Sequence, residues 1–360
     1  RCSRDWSSDV CSSDLGLSVG TYTSPHLERL NERISRNGDA ISDEEFAEQV
    51  AAVADIEVLT GVRPSYFEAV TLAAFRWFAD VAVDVAVVEV GLLGRWDATN
   101  VVQSQVAVLT NIGIDHTEYA GPTKQHIAAE KSGIVKPSSA VVIGETDPEL
   151  VGIWRAAGGT SHAVRGEHFD VLENQLALGG RLVDLRTPTT IYPDVFVPLH
   201  GRHQGDNAAA ALTAVEQFFD APLDAEVVGE GFAAVLMPGR FEVVGHQPLV
   251  IIDGAHNPAG ADTCATVFFD DFDPAGRRIL VVGCLQGRDP AEMLAALRAD
   301  EFDVVHTCTA PSQRGLAAAE LSAAARSTGC DEVVQFATVE DAIDAALDGA
   351  AAEDAIVITG

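Results

Sequence analysis

From Gly16 onward the chain alternates short β-branched runs with longer stretches whose apolar residues recur every three or four positions. That alternation is the pattern of α/β layers built around parallel sheets. It predicts strands over 17–22, 85–90, 106–110 and 140–143. Ser42 with Glu45 three residues on forms a capping box that opens a first long helix. A second helix is predicted over 67–78, where the aromatic spacing places the rings in a core.

The pattern changes over 162–200, where short alternating runs and Pro188, Pro193 and Pro198 predict a small β-rich insertion. A helix is predicted over 206–219. Met237-Pro238-Gly239-Arg240 has the breaker chemistry of a linker, after which strands are predicted over 250–253, 278–283, 304–307, 333–336 and 355–359. The expected organisation is therefore a domain over 16–237 and a compact α/β domain over 238–360. Residues 1–15, rich in Ser, Asp and Cys and without periodicity, read as foreign to the fold, so the native chain is expected to start near Gly16. An end one residue after the last strand reads as a truncation.

Composition narrows the function. With 54 acidic and 23 basic residues the formal charge is −31, and 47% of residues are hydrophobic. Such a surface repels nucleic-acid phosphates and anionic lipid, so neither is an expected partner. The apolar content is enough to build cores, which excludes a disordered chain. The six cysteines form no CxxC pair, and no apolar run reaches membrane length, so a cytoplasmic monomer is expected. Lys124, Lys131 and Lys136 are the only lysines, all within one short stretch. A lysine retained among arginines offers a compact amine that can be deprotonated and react.

Polar groups cluster at predicted strand ends, where open parallel sheets place their ligand crevice. Glu89 closes an apolar strand ahead of Gly91 and Gly94, an arrangement suited to a metal held against a polyphosphate. Asp115 and His116 follow the next strand, expected to neighbour the first in one sheet, so His116 and Glu89 are expected to converge on one ion. Ser24, after the first strand, adds a hydroxyl, or alternatively marks a turn set by Pro25. Asn31 to Ile34 adds polar groups nearby. In the second domain Asp253 sits at a strand tip suited to ribose hydroxyls, and Asn257-Pro258 is expected to cap the next helix. Arg240 lies in the linker, where an arginine can close onto phosphates.

Together YTSPHL, NERI, SYFEA, VEVGLLGRWDATN, IDHT, EKSGI, DNAAA, MPGRFE and DGAHNP resemble, in order and spacing, the folylpolyglutamate synthase/dihydrofolate synthase branch of the Mur-type ligases. The resemblance implies a P-loop NTPase-like N-terminal domain with a small β-rich insertion, followed by a Rossmann-like C-terminal domain. It implies Ser24, Glu89 and His116 as Mg²⁺ ligands, and Asn207, Arg240, Asp253 and His256 as ATP contacts. Ser65, Tyr66, Phe67 and Glu68, with Trp96, Asp97 and Ala98, correspond to pterin-substrate contacts. Lys131 matches a lysine that the family carbamylates, and Lys131, His116 and Arg240 are the expected catalytic groups. The implied reaction forms an amide between a pteroyl carboxylate and L-glutamate, at the expense of ATP and through an acyl phosphate.

The sequence departs from that family in three places. No Gly-Lys pair occurs, so the phosphate-binding GxxGKS/T loop is absent and the chain as written is expected to be nearly inactive. Leu93-Gly94 stands where the family usually has Gly-Gly, and Gly287-Arg288-Asp289 where Asp-Lys-Asp is common. The alternatives are another Mur-type amide ligase, acting on a peptidoglycan precursor or a polyamino acid, and a non-catalytic nucleotide-binding remnant. Nothing in the sequence decides between dihydropteroate and folates as acceptor, or whether a fused folate-pathway domain follows.

Overall fold

The structure, a computed structural model, describes residues 16–114 and 117–360, and these divide into two compact units. The first comprises residues up to Pro198 together with Arg202–Leu236, and the second Leu199–Gly201 together with Met237–Gly360.

In the first unit β1 (Val19–Tyr22), β2 (Ile34–Arg36), β3 (Asp39–Ala40) and β4 (Val85–Val88) form a sheet of order β3-β2-β1-β4. β1 and β4 are parallel, with Tyr22 opposite Val88, so their C-terminal ends lie side by side. The hairpin β2–β3 was not read from the sequence. Its signal is Asn37-Gly38, whose φ values of 51° and 83° are those a tight two-residue turn demands. The helices Asp43–Thr60 and Tyr66–Asp80 follow, each opened by the reciprocal capping box of Ser42–Glu45 and Ser65–Glu68. Trp77, Phe78, Val70 and Ala74 pack with Tyr22 and Ile34, as their spacing predicts.

β5 (Val106–Leu109), β6 (Ala140–Ile143) and β7 (Ser161–Val164) form a second, parallel sheet. This corrects the expectation that the strands ending at Glu89 and before Asn111 are neighbours. Among the described residues β4 pairs only with β1 and β5 only with β6. The physical reason lies in the connection between them. It docks on another segment, with the Arg95 amide donating to the Glu130 carbonyl at 3.1 Å, and β5 spends its paired edge on β6, where Ala140 and Gly144 donate to the Gln105 and Leu109 carbonyls. β8 (Asp170–Ala177), β9 (Gly180–Arg186) and β10 (Ile191–Val197) make the β-rich insertion as an antiparallel meander. The helix His203–Phe219 then returns to the parallel strands.

The second unit is a sheet of order β11-β12-β16-β13-β14-β15, from β11 (Glu242–His246), β12 (Leu249–Ile252), β13 (Arg278–Cys284), β14 (Val304–Thr309), β15 (Val333–Gln335) and β16 (Ala355–Thr359). All its ladders are parallel except that of β11, an edge strand the sequence reading missed. Leu280, Val282, Val305 and Val357 pack on one face against Phe268, Leu294 and Leu321, and Val281, Ile356 and Ala346 on the other, which is a doubly wound core.

Candidate active site

In the first unit the site begins where β1 and β4 end together. The parallel register places Ser24 beside Glu89, and the Ser24 amide donates to Glu89 Oε2 at 2.7 Å. A carboxylate and a hydroxyl at adjacent strand tips are hard oxygen donors, the kind Mg²⁺ takes. His116, the third expected ligand, lies outside the described residues.

The segment after Ser24 is held by its own side chains. Glu32 accepts from the amides of Leu27 at 2.8 Å and Arg29 at 2.7 Å. Partial burial pushes its pKa up, but these amides and that of Glu28 outweigh it and hold the carboxyl below its usual range. Arg33 is 8% exposed; its Nε donates to His26 Nδ1 at 2.9 Å and its guanidinium lies over the Tyr66 ring at 5.8 Å. The sequence reading placed Arg33 only as a nearby polar group, because nothing in spacing tells that a guanidinium turns inward.

Four expected substrate contacts have structural duties here. Glu68 Oε2 accepts from the Ser65 amide at 2.7 Å, closing the helix cap. Phe67 stacks obliquely on Tyr22, with centroids 6.0 Å apart, and its ring fills the space a side chain at Gly91 would need. Asp97 accepts from the Leu92 amide and from the Thr99 amide, both at 2.9 Å, so its carboxylate ties the loop after β4. Tyr66 and Trp96 are exposed, Trp96 at 88%, and Ala98 starts the short turn Ala98–Val101.

That loop sits on the end of the helix Lys124–Lys131. The ideal Cβ position of Gly94 lies 2.9 Å from the Lys131 carbonyl, Gly133 abuts the Arg95 backbone, and Arg95 donates to the Ala129 carbonyl at 3.1 Å. Leu93 adopts φ 60°, the left-handed region that glycine would enter freely. It is retained by packing against the cluster of Leu109, Ile112 and Ile127. The glycine-rich loop and the segment bearing Lys131 are thus one assembly. Lys136, by contrast, has a structural role, donating to the carbonyl and side-chain oxygens of Asn100 at 2.9 and 2.8 Å. Asn207 is exposed near the start of the helix His203–Phe219 and donates to Gln204 at 3.1 Å.

In the second unit Arg240, Asp253 and His256 come together at the end of β12. Asp253 accepts from the Phe241 amide at 2.8 Å and the Ala255 amide at 2.9 Å, and the Gly254 amide donates to the Gly239 carbonyl at 2.8 Å. One carboxylate therefore joins the 239–241 segment to the strand-end loop. Arg240 Nη1 lies 3.7 Å from the ideal Cβ position of Gly254, and His256 Nδ1 is 3.0 Å from the Gly254 carbonyl. Asn257 caps the helix Pro258–Asp271 through the Gly260 amide at 2.8 Å, as expected.

Comparison with known proteins identifies the family. Residues 45–215 match the Mur ligase middle domain, and 239–360 the Mur ligase glutamate ligase domain. A dihydrofolate synthase/folylpolyglutamate synthase of Mycobacterium tuberculosis is 40% identical, covering 96% of this chain and 76% of that protein. A probable bifunctional folylpolyglutamate synthase/dihydropteroate synthase of Halobacterium salinarum is 33% identical over 96% of this chain, which spans only 42% of that protein. Among solved structures, Mycobacterium tuberculosis folylpolyglutamate synthase complexed with ADP and AMPPCP superposes with a TM-score of 0.91 at 40% identity, covering 99% of this chain and 85% of that one. A bifunctional folylpolyglutamate synthase/dihydrofolate synthase with Mn, AMPPNP and L-glutamate bound gives 0.85 at 30% identity, covering 99% and 82%. The chain belongs to the folylpolyglutamate synthase/dihydrofolate synthase family of ATP-dependent Mur-type ligases.

Proposed function

We propose that this chain is built to join L-glutamate to the carboxylate of a pteroyl substrate, with ATP as the energy source. The observation that supports it best is the pairing of Ser24 with Glu89 at two adjacent strand tips. In this reading Ser24, Glu89 and His116 hold Mg²⁺, which when bound neutralises charge on the phosphate oxygens of ATP. Arg240 contacts phosphate, Asn207 and His256 contact nucleotide, and Asp253, held at the strand tip by the Phe241 and Ala255 amides, faces a ribose hydroxyl. The γ-phosphoryl group passes to the substrate carboxylate, and the glutamate amine displaces phosphate from the acyl phosphate.

Tyr66 and Trp96, both exposed, fit stacking on a pterin, while Ser65, Glu68 and Asp97 position the backbone that presents them and Phe67 seats it. Lys131, carbamylated, would give an anionic oxygen donor beside the glycine-rich loop, a role arginine does not have. The chain has no GxxGKS/T loop, so low turnover by the 360-residue polypeptide alone is part of the proposal. The test is ATP-dependent transfer of labelled L-glutamate to dihydropteroate or tetrahydrofolate, with and without a phosphate loop restored upstream of Gly16. Restored transfer to neither acceptor, while a UDP-sugar peptide is consumed, would replace this reading with that of another Mur-type ligase.

A further inference from the structure

Arg33 and Arg181 are the buried arginines among the described residues, and they are used differently. Arg181 is closed off inside the β-rich insertion, its Nε donating to the Asn174 side chain at 2.7 Å and its Nη2 to the Asn174 carbonyl at 3.1 Å. Arg33 gives only its Nε to a hydrogen bond, the one to His26. Its two Nη groups have no hydrogen-bond or ion-pair partner among the described residues, although the more exposed Arg29, Arg155 and Arg298 each hold a carboxylate. Neither Nη is a fully buried atom, so the stem of Arg33 is buried and its fork opens to solvent.

The carboxylates of the neighbouring segments are committed elsewhere. Glu32 accepts from the amides of Leu27 and Arg29, Asp97 from those of Leu92 and Thr99, and Asp43 from the side chains of Arg29 and Asn31. A guanidinium drawn inward without a counter-ion costs the fold stability, since no pair offsets its desolvation. In a chain of net charge −31, with acidic groups in excess, such a charge marks the place of an anion that comes from outside.

Position identifies the anion. The Thr23 amide donates to the Arg33 carbonyl at 2.9 Å and the Glu89 amide to the Tyr22 carbonyl at 2.8 Å, so β2, β1 and β4 bring Arg33, Ser24 and Glu89 to one end of one sheet. The guanidinium also lies 5.8 Å from the centre of the Tyr66 ring, which is 58% exposed. A metal on Ser24 and Glu89 takes phosphate oxygens. The second anion that an acyl-phosphate reaction brings to this edge is the acceptor carboxylate, carried on an aromatic body that can lie on Tyr66.

We propose that Arg33 binds the carboxylate of the acceptor, holding it at the strand tips beside Ser24 and Glu89. The proposal rests on the ligase reading above and names the group that orients its acceptor. Nη1 and Nη2 form the fork that receives a carboxylate through two parallel bonds, and the bond from Nε to His26 sets the direction of that fork. A carboxylate neutralised there approaches the γ-phosphoryl group of ATP without the full repulsion between two anions.

The test compares dihydropteroate with its carboxamide, which keeps the aromatic body and loses the charge. Calorimetry reads both ligands on the full 360-residue chain, on Arg33→Met and on Arg33→Lys. The parent is expected to bind the carboxamide about tenfold or more weakly than the acid, the usual worth of a hydrogen bond to a charged group. Arg33→Met is expected to bind the two alike, within about twofold, with an unchanged circular dichroism spectrum. Arg33→Lys keeps the charge and loses the fork, so a preference of about threefold is expected, and this variant carries the test if Arg33→Met does not fold. An equal preference for the acid in the parent and both variants overturns the proposal and leaves the ligase reading standing. A preference that stays unchanged while Mg·ATP affinity falls assigns the fork to phosphate, which also overturns it. A parent chain that binds neither ligand overturns the pteroyl reading, and the proposal with it.

Discussion

The Ser24 amide lies 2.7 Å from Glu89 Oε2, a bond between residues 65 apart in sequence that the parallel register of β1 and β4 brings to one edge. The bond uses the Ser24 backbone and leaves its hydroxyl for another task. Ser24→Ala is therefore expected to keep the melting temperature within about 1 °C, since surface substitutions away from packing cost roughly ±0.5 kcal/mol or less. The same change is expected to raise the Mg²⁺ concentration needed for nucleotide binding by about tenfold. Titration calorimetry with Mg·ATP, on protein with a restored phosphate loop, reads the difference.

Gly133 is pinned against the Arg95 backbone, where neither partner can yield as a flexible side chain would. Gly133→Ala is expected to destabilise the first unit by about 1–3 kcal/mol and to lift the 91–97 loop from the segment bearing Lys131. Chemical denaturation measures the first effect. Limited proteolysis at Arg95 measures the second.

Leu93 tests the same loop in the opposite direction. Leu93→Gly relieves a left-handed backbone worth about 1 kcal/mol and forfeits packing of similar size against Leu109 and Ile127, so net stability is expected to change by less than about 1 kcal/mol. A loss above about 2 kcal/mol in denaturant titration would show that packing alone sets this loop.

Asp354, only 3% exposed, accepts from the Arg277 amide at 2.7 Å, the Ala351 amide at 2.9 Å and Arg277 Nη2 at 2.9 Å. Burial works to raise its pKa, and these donors outweigh burial, holding the carboxyl below the usual aspartate range. A depressed folded pKa means the unfolded state binds the proton more readily. The stability gained is present above the unfolded value of about 3.9 and is lost as pH falls through the folded value. Asp354→Asn is expected to cost about 2 kcal/mol at pH 7, and the gap to the parent chain is expected to close below about pH 4. Melting curves over pH 3–7 check both the size and the sign.

Glu216, 1% exposed on the helix His203–Phe219, accepts from Tyr192 Oη at 2.6 Å and Thr189 Oγ1 at 2.7 Å, tying the β-rich insertion to the helix that covers the parallel strands. Burial first, and the bond to Glu216 second, push the Tyr192 phenol well above its ordinary range, so it stays a donor at all working pH values. Tyr192→Phe is expected to cost about 1–3 kcal/mol by leaving the carboxylate short of a partner. Equilibrium unfolding measures it.

Much of this molecule was legible in its pattern. The capping box at Ser42 and the Asn257-Pro258 cap are local signals, and local geometry obeyed them. The strand-tip positions of Ser24, Glu89 and Asp253 followed from the same logic, because a polar residue after an apolar run marks a strand end wherever the strand lies. What sequence did not disclose is lateral order. Periodicity describes a strand's two faces but not which neighbour takes its edges, so the break between β4 and β5 stayed hidden. The dual use of side chains was equally silent: Asp97 closes a loop and Glu68 closes a cap, duties visible only once backbone amides have positions.

The central claim, that the Ser24–Glu89 edge is the metal and nucleotide end of a glutamate ligase, is tested most directly by one comparison. The chain joined upstream of Gly16 to an apolar strand and a GxxGKS segment is assayed for ATP-dependent incorporation of labelled L-glutamate into dihydropteroate and tetrahydrofolate, beside its Glu89→Gln variant. Incorporation by the parent that falls about a hundredfold or more in the variant, with folding intact, is the expected result. Incorporation that is equal in the two proteins, or absent from both while the parent binds Mg·ATP, would contradict it.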